Sequence, residues 1–121
     1  MEYRSKKHVL LVGGDSLWLN NAKNALQSFE TSWVDQDRSA IALLESNQRP
    51  VDALLADTTS GSSLLKWIRM NREELPVIIM PSQNLDQDAF FLELGALSVV
   101  RPSASEKLTS LLDVYFALAP Q

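Results

Sequence analysis

The sequence predicts an α/β domain in which a five-stranded parallel sheet is wound on both faces by five helices. Three observations point there. Short, wholly apolar runs alternate along the chain with longer stretches of helical periodicity. The runs are apolar on both side-chain registers, as strands covered on both faces are. Glycine, proline or polar residues punctuate the changes of pattern. With 121 residues, 45% of them apolar and 21% charged, the chain suits one domain over 1–121, with an ordered core from about 7 to 119.

Val9-Leu10-Leu11-Val12 is the first run, closed by Gly13-Gly14. Asp15 or Ser16 can cap the next helix, which carries Leu17, Trp18, Ala22, Ala25, Leu26 and Phe29 near helical spacing. Thr31 to Val34 reads as a short strand, and Ser39 to Glu45 as a helix that Pro50 leaves behind. Val51 to Ala56 is the third strand, with Asp57 at its carboxyl end and a polar loop over Thr58 to Ser63. Leu64, Leu65, Trp67, Ile68 and Met70 then mark the buried side of a helix.

Pro76 opens the run Val77-Ile78-Ile79-Met80, and Pro81 stops it. Asp86 to Leu94 is helical and ends at Gly95, where a left-handed cap is expected. Leu97 to Val100 is the last strand. Ser103 or Ser105 starts a final helix with Leu108, Leu111, Leu112, Tyr115 and Leu118 in step. For this count and length the flavodoxin-like strand order 2-1-3-4-5 is the expected one, because crossovers between parallel strands are right-handed and place helices on both faces. Its switch point lies between the first and third strands, so ligands should gather at the ends occupied by Gly13-Gly14-Asp15 and Asp57.

Composition removes whole classes of function. Without cysteine there is no disulfide, no thiolate nucleophile and no cysteine-held metal, and a single histidine, His8, excludes a multi-histidine site. A net charge of -4, from 11 Lys+Arg and 15 Asp+Glu, argues against a broad nucleic-acid surface. No apolar stretch approaches the roughly 18 residues of a membrane span, and the basic start is too short for a signal peptide. A cytoplasmic domain without membrane or direct nucleic-acid contact is expected, and no acid–base or nucleophile–base pair marks an enzyme.

Several residues around the switch point have more than one reading. Asp57 fits a nucleophile, a metal ligand or a helix cap. Asp15 could help hold a cation, but it also sits where an N-cap belongs. Arg101, before Pro102, could reach toward Asp57 or lie solvated at a strand end. His8 reads as structural, and Trp18, Trp33 and Trp67 as packing residues. Gly13-Gly14-Asp15-Ser16 matches the opening of the diguanylate-cyclase signature only as a chance tripeptide, and it lacks the further glycine and Lys-Ser/Thr of a phosphate loop.

Taken in order, Val9-Leu10-Leu11-Val12, Asp52 to Asp57, Leu75 to Met80, Gly95-Ala96 and Arg101-Pro102 resemble the receiver domains of two-component response regulators, the CheY-like family. The resemblance runs from His8 to Leu118. It implies that Asp57 takes the place of the aspartate that accepts a phosphoryl group from a histidine kinase or phosphotransfer protein. It also implies magnesium (Mg2+), which offsets the repulsion between carboxylate and phosphoryl group. Thr58, Thr59, Ser82 and Arg101 would then be neighbours of the phosphate, with Asp15 and Asp57 as an incomplete metal pair.

The departures from the family pattern are as specific as the matches. The acidic pair after the first strand is Gly13-Gly14, with Asp15 beside it. The hydroxyl at the end of the fourth strand is replaced by Pro81, with Ser82 one place on. The lysine is Arg101, and the aromatic of the fifth strand falls on Ser98 or Val99. The loop after Asp57 is about four residues short. Together these imply a degenerate or pseudo-receiver, acting on a protein partner or an attached output domain, in which an Asp57–Arg101 ion pair holds one conformation.

Two alternatives stand beside it. One is a working phosphoacceptor in a phosphorelay. The other is a small-molecule, nucleotide or anion site using the room left by Gly13-Gly14. Phe90, Phe91, Val114, Tyr115 and Phe116 exceed one buried helix stripe, which suggests a homodimer through residues 86–118. The boundaries fit a stand-alone domain or the N-terminal part of a longer regulator with a DNA-binding, ATPase or cyclic-nucleotide output.

Overall fold

The computed structural model describes residues 6–46, 50–72, 74–82 and 87–118. Five parallel strands form one sheet in the order β2-β1-β3-β4-β5, with helices alternating between them. The strands are β1 (His8–Val12), β2 (Glu30–Val34), β3 (Ala53–Ala56), β4 (Val77–Ile79) and β5 (Ser98–Val99). The helices are α1 (Ser16–Ala25), α2 (Asp37–Ser46), α3 (Thr58–Asn71), α4 (Asp88–Leu94) and α5 (Lys107–Leu118). This is the flavodoxin-like arrangement expected from the alternating runs.

The apolar runs become central strands because each face of the sheet has its own cover. Val9, Leu11, Ala53, Leu55 and Ile78 pack with Trp18, Ala22, Leu108 and Leu112 of α1 and α5. Leu10, Val12, Leu54, Ala56 and Ile79 pack on the other side with Ala40, Leu44, Leu64, Ile68 and Phe91 of α2, α3 and α4. Alternate side chains of one strand thus enter opposite layers, and both halves of a continuous apolar run are buried. In register, Val12 stands beside Ala56, and Ala56 beside Ile79. The three central strands therefore end level, and the residues after them meet at one edge.

Helix ends obey local chemistry. Gly95 closes α4 at φ 112°, and its N–H and that of Ala96 reach back to the carbonyls of Leu92 and Phe91. That is the left-handed cap expected at this glycine. The polar stretch Thr58 to Ser63 is not a loop: α3 begins at Thr58, directly after β3, because the Asp57 carboxylate caps it. α5 begins at Lys107, after a 3-10 turn over Pro102–Ala104, rather than at Ser103 or Ser105.

Some expected faces are redistributed. Met70 is 85% exposed, on the solvent side of α3, and Leu17 also faces solvent on α1. Phe91 is buried in the sheet layer, and Phe116 packs against the α1–α5 layer, so neither belongs to a surplus outer face. The proposed helix start at Asp86, the first five residues and the chain end beyond 118 lie outside the described residues.

Candidate functional site

The level ends of β1, β3 and β4 open onto a crevice of about 330 Å³, lined by Gly13, Gly14, Asp15, Asp35, Asp57, Thr59, Ser60 and Ser82. It lies at the switch point, as the strand order requires. Five of the expected residues are placed in or next to it: Asp15, Asp57, Thr59 and Ser82 line it, and Thr58 opens α3 beside Asp57.

Asp57 is buried and its carboxylate is already engaged. One oxygen accepts the Gly14 N–H at 2.7 Å and the other accepts the Ser60 N–H at 3.1 Å. The second bond is the N-cap of α3, where the helix dipole also favours an anion. The first bond explains the diglycine. Both glycines have positive φ, 86° at Gly13 and 76° at Gly14. A Cβ on Gly13 would come 2.6 Å from an Asp57 oxygen, and one on Gly14 would come 2.4 Å from the Trp18 indole. The space that side chains at these two positions would take is therefore filled by the protein's own carboxylate and indole, while the crevice beside them stays open.

Asp15 serves the cap reading: its carboxylate accepts the Trp18 N–H at 2.9 Å and starts α1. Arg101 departs from the expectation. It forms an ion pair with Asp88 at 2.8 Å, not with Asp57. The reason is positional, since Asp88 begins α4 and Arg101 comes after β5, which lies next to that helix, while Asp57 is satisfied by backbone donors. His8 is structural, as expected, with its ring between the Pro50 carbonyl and the Ser32 hydroxyl, 2.8 Å from each.

Sequence reasoning missed three members of this site. Asp35 comes directly after β2 and reaches the crevice because Val34 ends level with Val12; reading the residue after every strand, and not only after the first and third, would have found it. Ser60 contributes its backbone N–H, and the Asp-x-x-Ser spacing after a strand was its signal. Trp18 has no local signal, because its partner carbonyl, Met80, lies 62 residues away.

Magnesium can be tested against this donor set. A hard cation needs several oxygen ligands converging on one point. Two positions that would supply them are glycines; of the carboxylates that line the crevice, Asp15 gives one oxygen to the cap of α1, both Asp57 oxygens hold backbone N–H groups, and Asp35 comes from the end of β2. Among the described residues no three His, Cys, Asp or Glu side chains come together to hold a metal ion. The residues present do not fit the group.

No protein-family model matches the sequence. No curated protein matches it either. Solved structures do match in fold. A CheY-like response-regulator receiver domain protein from Methanospirillum hungatei superposes with a TM-score of 0.74 at 21% identity, covering 95% of this chain and 100% of that one. The receiver domain of Francisella response regulator 1452 gives 0.75 at 20% identity, covering 93% and 99%. A chain from Chloroflexus aurantiacus described as a response regulator gives 0.81 at 18% identity, again covering 93% and 99%. What these likenesses establish is architecture: the chain has the fold of response-regulator receiver domains.

Proposed function

We propose that this chain is a regulatory module of the receiver fold, a pseudo-receiver that signals through protein contacts and does not depend on phosphorylation of Asp57. One observation carries the reading: the Asp57 carboxylate is bound by the backbone N–H groups of Gly14 and Ser60, where a phosphoacceptor needs to be free beside a metal. In this reading the aspartate is a tie between the turn after β1 and the start of α3. The module then regulates a partner rather than catalysing a reaction of its own.

The contacts would be made on the α4–β5–α5 side. Phe90, Leu92, Leu97, Val114 and Leu118 stand exposed there, with Phe90 50% and Val114 57% accessible. A protein partner, an attached output domain or a second copy of the chain in a homodimer would cover them. Among the described residues no helix is long and apolar enough to cross a membrane, and a cytoplasmic setting fits the composition.

A second reading keeps one observation in its favour. Asp57 does line an open crevice, with Thr59 and Ser82 as hydroxyl neighbours. In that reading a histidine kinase or phosphotransfer protein donates phosphate to Asp57. An amide NMR titration with magnesium and then beryllofluoride separates the two. Unchanged Gly14, Asp15, Asp57 and Ser60 signals at millimolar magnesium are expected. Shifts at these residues that spread to residues 98–118 and vanish in Asp57→Ala would establish the phosphoacceptor instead.

A further inference from the structure

We propose that Trp18 is a latch that joins the loop after β1 to the end of β4, so that the loops around the crevice open together or not at all. The proposal deepens the reading above and rests on it for what these loops are for.

Trp18 stands in the first turn of α1, oriented by the Asp15 cap, and is 2% exposed. A buried indole N–H must find an acceptor or cost the full desolvation of the group. It donates to the Met80 carbonyl at 2.7 Å. Met80 is the residue after β4, its own N–H is held by the Ala56 carbonyl at 2.8 Å, and Pro81 comes next with no N–H to add. The end of β4 is thus held to β3 on one side and to α1 on the other.

Besides its place in the α1–α5 layer, the indole lies against Gly14. Its ring occupies the volume in which a side chain at that position would lie, with Cδ2 and Cε3 each 2.4 Å from where a Cβ would be. The Gly14 N–H is in turn held by Asp57. From β2, the Trp33 indole N–H donates to the Gly13 carbonyl at 3.0 Å. Two consecutive glycines are otherwise the least ordered dipeptide a chain can contain. Here they are gripped by one carboxylate and two indoles, drawn from the cap of α3, from β2 and from α1. The Trp18 indole touches Gly14 and holds Met80, so in the latch a displacement of either is passed to the other, which couples segments that are remote in sequence.

Hydrogen exchange on the full chain tests the latch without metal or phosphate, so its failure leaves the magnesium titration undecided and the reverse also holds. Trp18→Phe keeps an aromatic ring and removes the N–H donor. The latch requires exchange at the Gly14, Ser60 and Met80 amides to rise by about tenfold or more over any change at Leu10, Leu54 and Leu55 in mid-sheet. A rise equal at all of these sites, or none at Gly14 and Ser60, overturns it. If Trp18→Phe does not fold, the unmutated protein decides. The Trp18 indole N–H and the Gly14 amide should exchange within about threefold of one another after correction for intrinsic rates, as one shared opening demands. An indole proton exchanging about tenfold faster than Gly14 overturns the latch.

Discussion

The Asp57 carboxylate accepts the backbone N–H of Gly14 at 2.7 Å, from a position 43 residues later in the chain. This one bond ties the turn after β1 to the junction of β3 and α3. With the cap on Ser60 it gives Asp57 a structural task at the place where the fold concentrates function. Replacing it should therefore destabilise the protein. Asp57→Ala is expected to cost about 1–3 kcal/mol, from a lost N-cap and a buried N–H left without an acceptor. Asp57→Asn, which keeps one acceptor oxygen, should cost less. Urea unfolding monitored by circular dichroism measures both. A carboxylate held for chemistry at the expense of stability would give the opposite sign, because removing it would leave the protein as stable or more so.

Gly13 should tolerate no side chain. Its φ of 86° is unfavourable for an L residue, and a Cβ there would meet the Asp57 carboxylate at 2.6 Å. Gly13→Ala is expected to destabilise by about 2 kcal/mol or more, the sum of backbone strain and the collision. The two causes separate in a double-mutant cycle. In an Asp57→Ala background the collision is gone and only the strain remains, so the cost should fall by about 1 kcal/mol. Equal costs in both backgrounds would mean that the carboxylate does not press on Gly13.

The sheet and its helices were legible because burial on both faces writes itself as unbroken apolar runs, and because Gly95 and Pro81 mark their boundaries chemically. The site was legible in place but not in wiring. Asp57 and Asp15 stood where caps and ligands are equally at home, and only the partners, Ser60 and Trp18, reveal the caps. Thr58 to Ser63 reads as a loop because threonine, serine and glycine are weak helix formers; the cap and the burial of Ser60, Gly61, Leu64 and Leu65 override that preference. Phe90 and Phe91 are neighbours of identical type, and one points out while the other fills the core. Composition cannot separate them.

The Arg101–Asp88 pair should matter little to stability. The two side chains are 31% and 41% exposed, a setting in which ion pairs contribute between about 0 and 1 kcal/mol and weaken with salt. Asp88→Ala is expected to lower stability by less than about 1 kcal/mol, with most of the loss gone at about 1 M salt, in unfolding curves at low and high ionic strength. It should also leave the Gly14 and Ser60 amide signals in place, since Arg101 does not hold Asp57. Shifts at those two amides would reinstate a link between Arg101 and the crevice.

Asp37 gives the fold a pH-dependent tie away from the crevice. Its carboxylate accepts the Ser63 hydroxyl and so joins the first turn of α2 to α3. This bond is the main reason that its pKa lies below the ordinary 3.8, with the Arg38 backbone N–H and charge adding to it against some desolvation. A carboxyl group depressed by folding binds its proton more weakly in the native state than in the unfolded chain. Its contribution to stability is therefore fully present above the ordinary value and is lost as pH falls through the depressed one. Ser63→Ala removes the leading cause, so the Asp37 carboxyl should titrate closer to 3.8 in a carboxyl-carbon NMR titration. The stability difference between Ser63→Ala and the unmutated protein should be largest near neutral pH and shrink in the acid range where Asp37 is protonated in both. An Asp37 titration that is the same in the two proteins would show that the hydroxyl is not what holds the proton off.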